Sequence, residues 1–368
     1  MKIPKRIGIL TGGGDCPGLN AVIRAVVKTA INDYDIKVTG FLDGFEGLVE
    51  NKTVVLNESN VSGILTRGGT ILGTSNRADP FAYPVLENGK TEYRDRSDQL
   101  LNTFEQHGLE ALVCIGGDGT MTVSQKIAQK GINVVGIPKT IDNDLMGTDV
   151  TFGYDSALTT ATEAIDKIHT TAQSHHRLMV IEVMGRYAGW LSLGSGIAGG
   201  GDIILIPEIP YDIQFVCQKI KERNYQGKHF SILVVGEGAK PKGGDMVVNR
   251  TVDGSPEPIR LGGIGHKVAN DIENVIAVET RVTVLGHLLR GGVPTPADRL
   301  LATRFGVAAA KLIEKQNFGK MVALRGDKIT SAPISEVAGK TRTIPLDSPL
   351  LAVARSVGTC LGDDLKCG

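Results

Sequence analysis

The chain has 368 residues, and its forty Lys and Arg are balanced by forty Asp and Glu. That balance leaves no global field to draw it to nucleic acid or to a membrane surface, and no apolar run reaches the roughly 18 residues of a membrane span. The length sets a prior of two domains with a substantial buried core.

In chain order, a short β-rich apolar run, a Gly/Asp loop and an amphipathic stretch recur, and the glycines cluster after the apolar runs. Arg6–Leu10 leads into Gly12-Gly13-Gly14-Asp15-Cys16-Pro17-Gly18, and a helix is expected over Ala21–Ile31 with Asn20 as its N-cap. Further strands are expected at Ala111–Ile115, Asn133–Ile137, Leu178–Val183, Ile203–Ile206, Phe230–Val235 and Val282–Leu285. Alternating strands and helices predict an α/β fold of mostly parallel sheets covered on both faces. Ligands of such sheets bind beyond the carboxyl ends of the strands, where the polar motifs are expected. A domain boundary is placed near 152–156, and the Gly- and Pro-rich stretch 240–263 reads as a loop or small hairpin. The apolar run Leu350–Val357 predicts a docked C-terminal segment. Cys16, Cys114, Cys217, Cys360 and Cys367 are odd in number, scattered and without a C-x-x-C pair. They argue against a disulfide framework or a zinc site and fit a reducing cytoplasm. The charged start, Met1–Arg6, has no signal-peptide core.

Three loops carry the chemistry. The Gly12–Gly18 loop opens a helix, whose free N–H groups suit an anion, although an ordinary glycine turn explains it equally well. Pro17 breaks the dinucleotide fingerprint. The loop Gly116-Gly117-Asp118-Gly119-Thr120 is more specific. Its glycines admit phosphates, and Asp118 is a Mg²⁺ candidate, with a helix-capping Asp as the plainer alternative. The segment Pro138-Lys139-Thr140-Ile141-Asp142-Asn143-Asp144 gathers a cation, a hydroxyl and two carboxylates. If it is extended, Thr140, Asp142 and Asp144 share one face, and Lys139 offsets part of their repulsion. Together these loops suit phosphoryl transfer, one carboxylate holding the metal and another accepting a proton. A Walker P-loop is absent, because Ile334 stands where the first glycine before Gly339-Lys340-Thr341 is required. The second half supplies Arg177, Arg186, Arg281, His287 and Arg290 near strand ends, with Glu237 as a hydroxyl acceptor. Arginine forks match phosphate oxygens, although each residue alone is more often a surface group.

Seven ordered motifs give the chain a resemblance to the 6-phosphofructokinases, running from Arg6 to about Gly362. They are GGGDCPGLNAVIR from Gly12, RGGTILGTSNR from Arg67, GGDGT from Gly116, PKTIDND from Pro138, SHHR from Ser174, MGRYAGW from Met184 and TRVTVLGHLLRGG from Thr280. The resemblance implies two similar three-layer α/β/α domains, 1–153 with about 289–340 on the donor side and 154–288 with about 341–368 on the sugar side. The active site would lie in the cleft between them. It implies phosphoryl transfer to the 1-hydroxyl of fructose 6-phosphate with Mg²⁺. Asp142 matches the family's catalytic base, Thr140 and Asp144 its supports, and Arg186 a residue orienting base and substrate. Gly14, Arg77, Gly117, Asp118, Gly119, Thr120 and Lys139 match the donor side. Met184, Gly185, Glu237, His287 and Arg290 match sugar-phosphate contacts within one subunit. Arg177 and Arg281 match contacts from a neighbouring subunit, which implies a homo-oligomer, most often a tetramer.

ATP-using members resemble this chain at Gly119, where pyrophosphate users carry Asp, and a carboxylate there would repel and crowd the α-phosphate of a nucleotide. Lys139 is typical of pyrophosphate users, and Val123 departs from the glycine frequent near the nucleoside. Gly119 carries the more direct steric argument, so ATP is the expected donor and pyrophosphate the alternative. His169 and Gln226 stand where effector-binding arginines are usual, while Arg24, Lys28 and Lys228 keep their charge, so weak effector control is expected. A non-catalytic regulatory subunit would be expected to have lost Asp118, Asp142 or Arg186, and all three are present.

Overall fold

The computed structural model describes residues 3–87, 89–251 and 259–363. The first half runs β1 (Arg6–Thr11), α1 (Leu19–Tyr34), β2 (Lys37–Phe41), α2 (Phe45–Val49), β3 (Thr53–Leu56), β4 (Tyr83–Glu87), β5 (Lys90–Arg94), α3 (Ser97–Gln106), β6 (Ala111–Gly116), α4 (Asp118–Gln129), β7 (Val134–Pro138) and α5 (Tyr154–His175). The second runs β8 (Leu178–Val183), α6 (Trp190–Ala198), β9 (Ile203–Leu205), α7 (Ile213–Tyr225), β10 (Ser231–Gly236), β11 (Val248–Thr251), β12 (Ile259–Leu261), α8 (Ile264–Glu273) and β13 (Thr280–Val284). A 3₁₀ turn (Gly286–Arg290), α9 (Pro296–Glu314), β14 (Lys320–Arg325), β15 (Lys328–Pro333), α10 (Ile334–Val337) and α11 (Pro349–Ser356) follow.

Two α/β sheets result. The larger has the order β15-β14-β7-β6-β1-β2-β3 and is parallel except at its margins, where β2–β3 and β14–β15 are antiparallel. The smaller, β13-β8-β10-β9, is parallel throughout. Strands buried on both faces read as near-continuous apolar runs, and β6, β7, β8 and β10 are buried along their whole length. The chain crosses between the sheets after β7, returns through α9 to add β14 and β15 to the larger one, and leaves it again after α10. At the second crossing the buried Asp298 side chain accepts the backbone N–H (2.8 Å) and hydroxyl (2.6 Å) of Ser156, tying the start of α9 to the start of α5. Helix α9 then packs on α1 so closely that a Cβ on Gly306 would stand 2.6 Å from the Ala25 Cβ and 2.9 Å from the Val22 carbonyl oxygen.

Strand positions follow the sequence expectation to within one or two residues. The 240–263 stretch holds the β11–β12 hairpin, and α11 is docked through Leu351 and Ala354. The start of α1 differs. Gly18, with φ +105°, is the cap, and Asn20 lies inside the first turn. The Asn20 amide instead donates to the Arg67 (3.1 Å) and Gly68 (3.2 Å) carbonyls and accepts from Ile71 N–H (2.8 Å), so it secures the 67–71 loop. No helix among the described residues is long and apolar enough to cross a membrane.

Candidate active site

Three loops leave the carboxyl ends of β1, β6 and β7, which are neighbours in the sheet. Their backbones are sewn together: Gly12 N–H donates to Ile115 O (2.9 Å) and Lys139 N–H to Gly116 O (3.0 Å). The contacts demand glycine in the first two loops. A Cβ on Gly12 would lie 2.7 Å from Thr120 Oγ1, and one on Gly116 would overlap Thr120 outright. Thr120 is thereby buried as the packing pin between the loops. Gly119 is different. It sits in the first turn of α4 without a positive φ, and a Cβ added there would meet nothing within 4 Å. Neither backbone conformation nor packing calls for glycine at 119, and the space beside it is open.

Asp118 is the first residue of α4, which Gly117 caps, and its Oδ1 accepts the Gly339 N–H at 2.7 Å. Among the described residues no three His, Cys, Asp or Glu side chains gather into a metal cage. Mg²⁺ needs none, because it is commonly held by one or two carboxylates together with substrate phosphates. One carboxylate at an open, glycine-lined helix start fits that mode. Arg77 is exposed on the loop that pairs with Gly12 through Ser75.

The third loop departs from the extended backbone expected of it. Thr140 Oγ1 accepts the Asp142 N–H (3.1 Å), and Asn143 adopts φ +52°, so the chain turns at Ile141–Asn143. Asn143 Oδ1 and the Thr140 carbonyl each accept from Thr151, which holds the turn against the following strand-like stretch. The two carboxylates still meet. Burial first, and the charge of Asp142 second, push the Asp144 carboxyl up to about 7, while a hydrogen bond from Thr140 opposes the rise. Lys139 is buried, with its ammonium donating to the Gly14 carbonyl, and it still feels the charge of Asp144. Burial lowers its pKa.

On the smaller sheet, Glu237 follows β10, and its N–H donates to Val183 O (2.9 Å). Gly185 has φ +134°, and a Cβ on Gly238 would overlap the Arg186 carbonyl, so the Met184–Arg186 turn and the 236–238 turn interlock. Burial raises the Glu237 pKa, and the Arg186 charge opposes it. A cavity of about 350 Å³ opens here between Met184, Glu237 and His287, closed by Glu182, Gly262 and His266. Arg290, three residues beyond His287, joins this side to the first loop: its Nη1 donates to Asp15 O (3.1 Å), and its guanidinium lies over Gly14. Sequence reasoning passed over Glu182, a buried carboxylate accepting Gly263 N–H (3.1 Å) and Gly265 N–H (2.8 Å). Its signal was a charged residue in the middle of an apolar strand.

Arg177 and Arg281 do not join the others. They lie at the amino ends of β8 and β13, both paired with Glu279. The cavity opens at the carboxyl ends, about 20 Å away along a six-residue strand. The expectation that all polar motifs sit at carboxyl ends is corrected for this pair.

Glycine-lined helix starts beside a buried carboxylate pair, with Arg290 linking the first loop to the stretch that carries His287 of the cavity, define an α/β protein built to handle phosphoryl groups. A family model described as Phosphofructokinase matches residues 6–313, and the chain belongs to that family. It is 54% identical over 365 residues to the ATP-dependent 6-phosphofructokinase 2 of Clostridium perfringens, covering 99% of this chain and 100% of that one. It is 48% identical over 340 residues to the pyrophosphate--fructose 6-phosphate 1-phosphotransferase of Streptomyces coelicolor, covering 92% of this chain and 96% of the relative. Among solved structures, Pichia pastoris phosphofructokinase in the T-state matches with a TM-score of 0.78 and 31% identity, over 92% of this chain and 36% of that longer one.

Proposed function

We propose that the chain is a catalytic, cytoplasmic 6-phosphofructokinase that transfers the γ-phosphoryl of ATP to the 1-hydroxyl of fructose 6-phosphate, giving fructose 1,6-bisphosphate and ADP. The observation that carries the choice of donor is Gly119, where an ordinary helical backbone and empty surroundings leave space as the reason for a glycine. A side chain there would enter the volume that a nucleotide's α-phosphate needs, and a carboxylate would add repulsion.

In this reading the N–H groups of the Gly12–Gly14 and Gly117–Gly119 turns receive the donor phosphates, with Arg77 at the rim. Asp118 would hold Mg²⁺ together with the donor's phosphate oxygens, and the ion, when bound, neutralises charge on the transferring group. Met184, Gly185, Glu237, His287 and Arg290 hold the sugar phosphate, and Arg186 aligns it. Asp142 takes the proton from the attacking hydroxyl. Asp144, pushed to about 7, keeps a proton in weakly acidic solution and spares Asp142 a second charge beside it. Arg177 and Arg281, remote from the cavity of their own chain, reach the sugar phosphate of a neighbouring copy, which makes the enzyme a homo-oligomer. The division into 1–153 with 289–340 and 154–288 with 341–368 is supported by the membership of the two sheets.

Lys139, shared with pyrophosphate users, and the Streptomyces relative favour a second reading with pyrophosphate as donor. Initial rates with fructose 6-phosphate, Mg²⁺ and either donor decide between them. Activity with ATP alone supports the proposal, and activity with pyrophosphate alone overturns its donor. Gly119→Asp should lower kcat/KM for ATP at least about a hundredfold, in line with the loss of a well-placed charge interaction. An unchanged value would remove the argument from Gly119.

A further inference from the structure

Between α10 and α11 the chain passes from the larger sheet to the smaller one, and each step of that passage is tied to a loop of the site. Gly339 N–H donates to Asp118 Oδ1 (2.7 Å), and Thr341 bridges to Leu145. Arg342 N–H donates to the Asp144 carbonyl (2.7 Å), and its side chain donates to the carbonyls of Thr148 and Asp149. On the other side its guanidinium stacks on the indole of Trp190, 4.3 Å from the ring centroid, while Trp190 Nε1 donates to the Arg342 carbonyl (2.9 Å). Trp190 opens α6 directly after the turn that carries Arg186. Finally Ile344 N–H donates to Glu208 Oε1 (2.8 Å), and the same carboxylate accepts Gly189 N–H (3.0 Å). Ile344 itself is anchored in the core of the smaller sheet with Ile206 and Leu351.

We propose that residues 339–344 are a strap that sets the separation of the carboxylate loop and the Arg186 turn, and that Arg342 is a positioning residue for phosphoryl transfer. The proposal rests on the reading of Asp142, Asp144 and Arg186 given above. Arg342 touches no reacting group. It acts by satisfying three carbonyls of the 144–149 segment with one backbone and one side-chain donor, while its flat face fixes Trp190. A planar, multi-donor cation does both at once, and lysine, a point charge on a flexible stem, cannot. Misplacing a general base by about 1 Å costs roughly a hundredfold in rate, so a strap of this kind is felt in turnover rather than in affinity.

The test uses the full-length oligomer and three variants, Arg342→Ala, Arg342→Lys and Glu208→Ala, with Glu208→Gln as the conservative control. Arg342→Ala and Glu208→Ala should each lower kcat about ten- to a hundredfold while KM for fructose 6-phosphate and for the donor changes less than about threefold. Arg342→Lys should fall with them, and Glu208→Gln should keep most of the rate. Combining the two alanine changes should cost little more than either alone, because they cut one unit. Trp190 is the single tryptophan of the chain, so its emission reports the stack directly and should shift in Arg342→Ala. Folded variants with kcat within twofold of the parent, or an alanine pair whose losses multiply, overturn the strap. If the parent turns over fructose 6-phosphate with neither donor, the functional reading falls instead. The emission comparison then still decides whether the strap holds Trp190, and an unchanged spectrum refutes it.

Discussion

At the scale of single residues, the carboxylate pair is the sharpest feature. Asp142→Ser should lower kcat by about two to four orders of magnitude, the usual worth of a positioned base, with fructose 6-phosphate binding retained by calorimetry. Near-normal turnover would remove Asp142 from the mechanism. Asp144 makes a separate claim about stability. Its carboxyl stands at about 7 in the fold against 3.8 for an ordinary Asp. A group shifted upward stabilises the fold while it holds its proton, so the contribution is complete below about pH 4 and is lost as the pH rises through about 7. The ligand-free protein should therefore lose stability across that window, and Asp144→Asn, which cannot ionise, should flatten the loss. Thermal midpoints measured across the window give the answer, and parallel slopes for the two proteins would contradict it.

At the scale of elements, the α1–α9 crossing shows which of two opposed terms wins. Alanine is favoured over glycine within a helix by about 1 kcal/mol. Overpacking a filled core costs about 1–3 kcal/mol. At Gly306 the added methyl would meet the Val22 carbonyl and the Val26 amide, backbone atoms that cannot swing aside. Gly306→Ala should thus be destabilising, with a lower urea midpoint, and a rise would mean that the helices separate freely. Elements were also what the sequence made legible. Apolar runs in two-sided parallel strands announce themselves, and their ends located the three loops. What stayed hidden was pairing over long separations. Nothing near Asn20 says that its amide will hold Arg67 and Ile71, nor does local pattern place Gly339 beside Asp118. The 140–144 turn was misjudged for a related reason. A hydroxyl two residues before an amide competes with extended backbone, and Thr140 does so here. The two arginines of the amino ends are expected as sugar-phosphate contacts by resemblance, while their placement away from the cavity emerged only from strand direction.

At the scale of the whole molecule, the distance between Arg281 and the cavity of its own chain becomes a prediction about assemblies. Arg281→Ser should raise KM for fructose 6-phosphate with little change in kcat. Assayed at fructose 6-phosphate well below the raised KM, where each is poorly active alone, Arg281→Ser and Asp142→Ser chains should regain activity when mixed and reassembled. In such a hybrid one site draws Asp142 from the first chain and Arg281 from the second, and both are intact. Mixtures no more active than the sum of their parts would mean that each site is made by one chain.

The triple crossing between sheets also has a consequence for the order in which a ribosome delivers the chain. Strand β7 is buried throughout, yet its second neighbour, β14, begins at Lys320, in register with Val135. Until that strand emerges, β7 presents an apolar parallel edge with unpaired amides, the kind of edge that recruits other chains. At about 5–20 residues per second, synthesis leaves that edge open for roughly ten to forty seconds. The nascent protein must therefore survive an interval in which its larger sheet is finished on one side only.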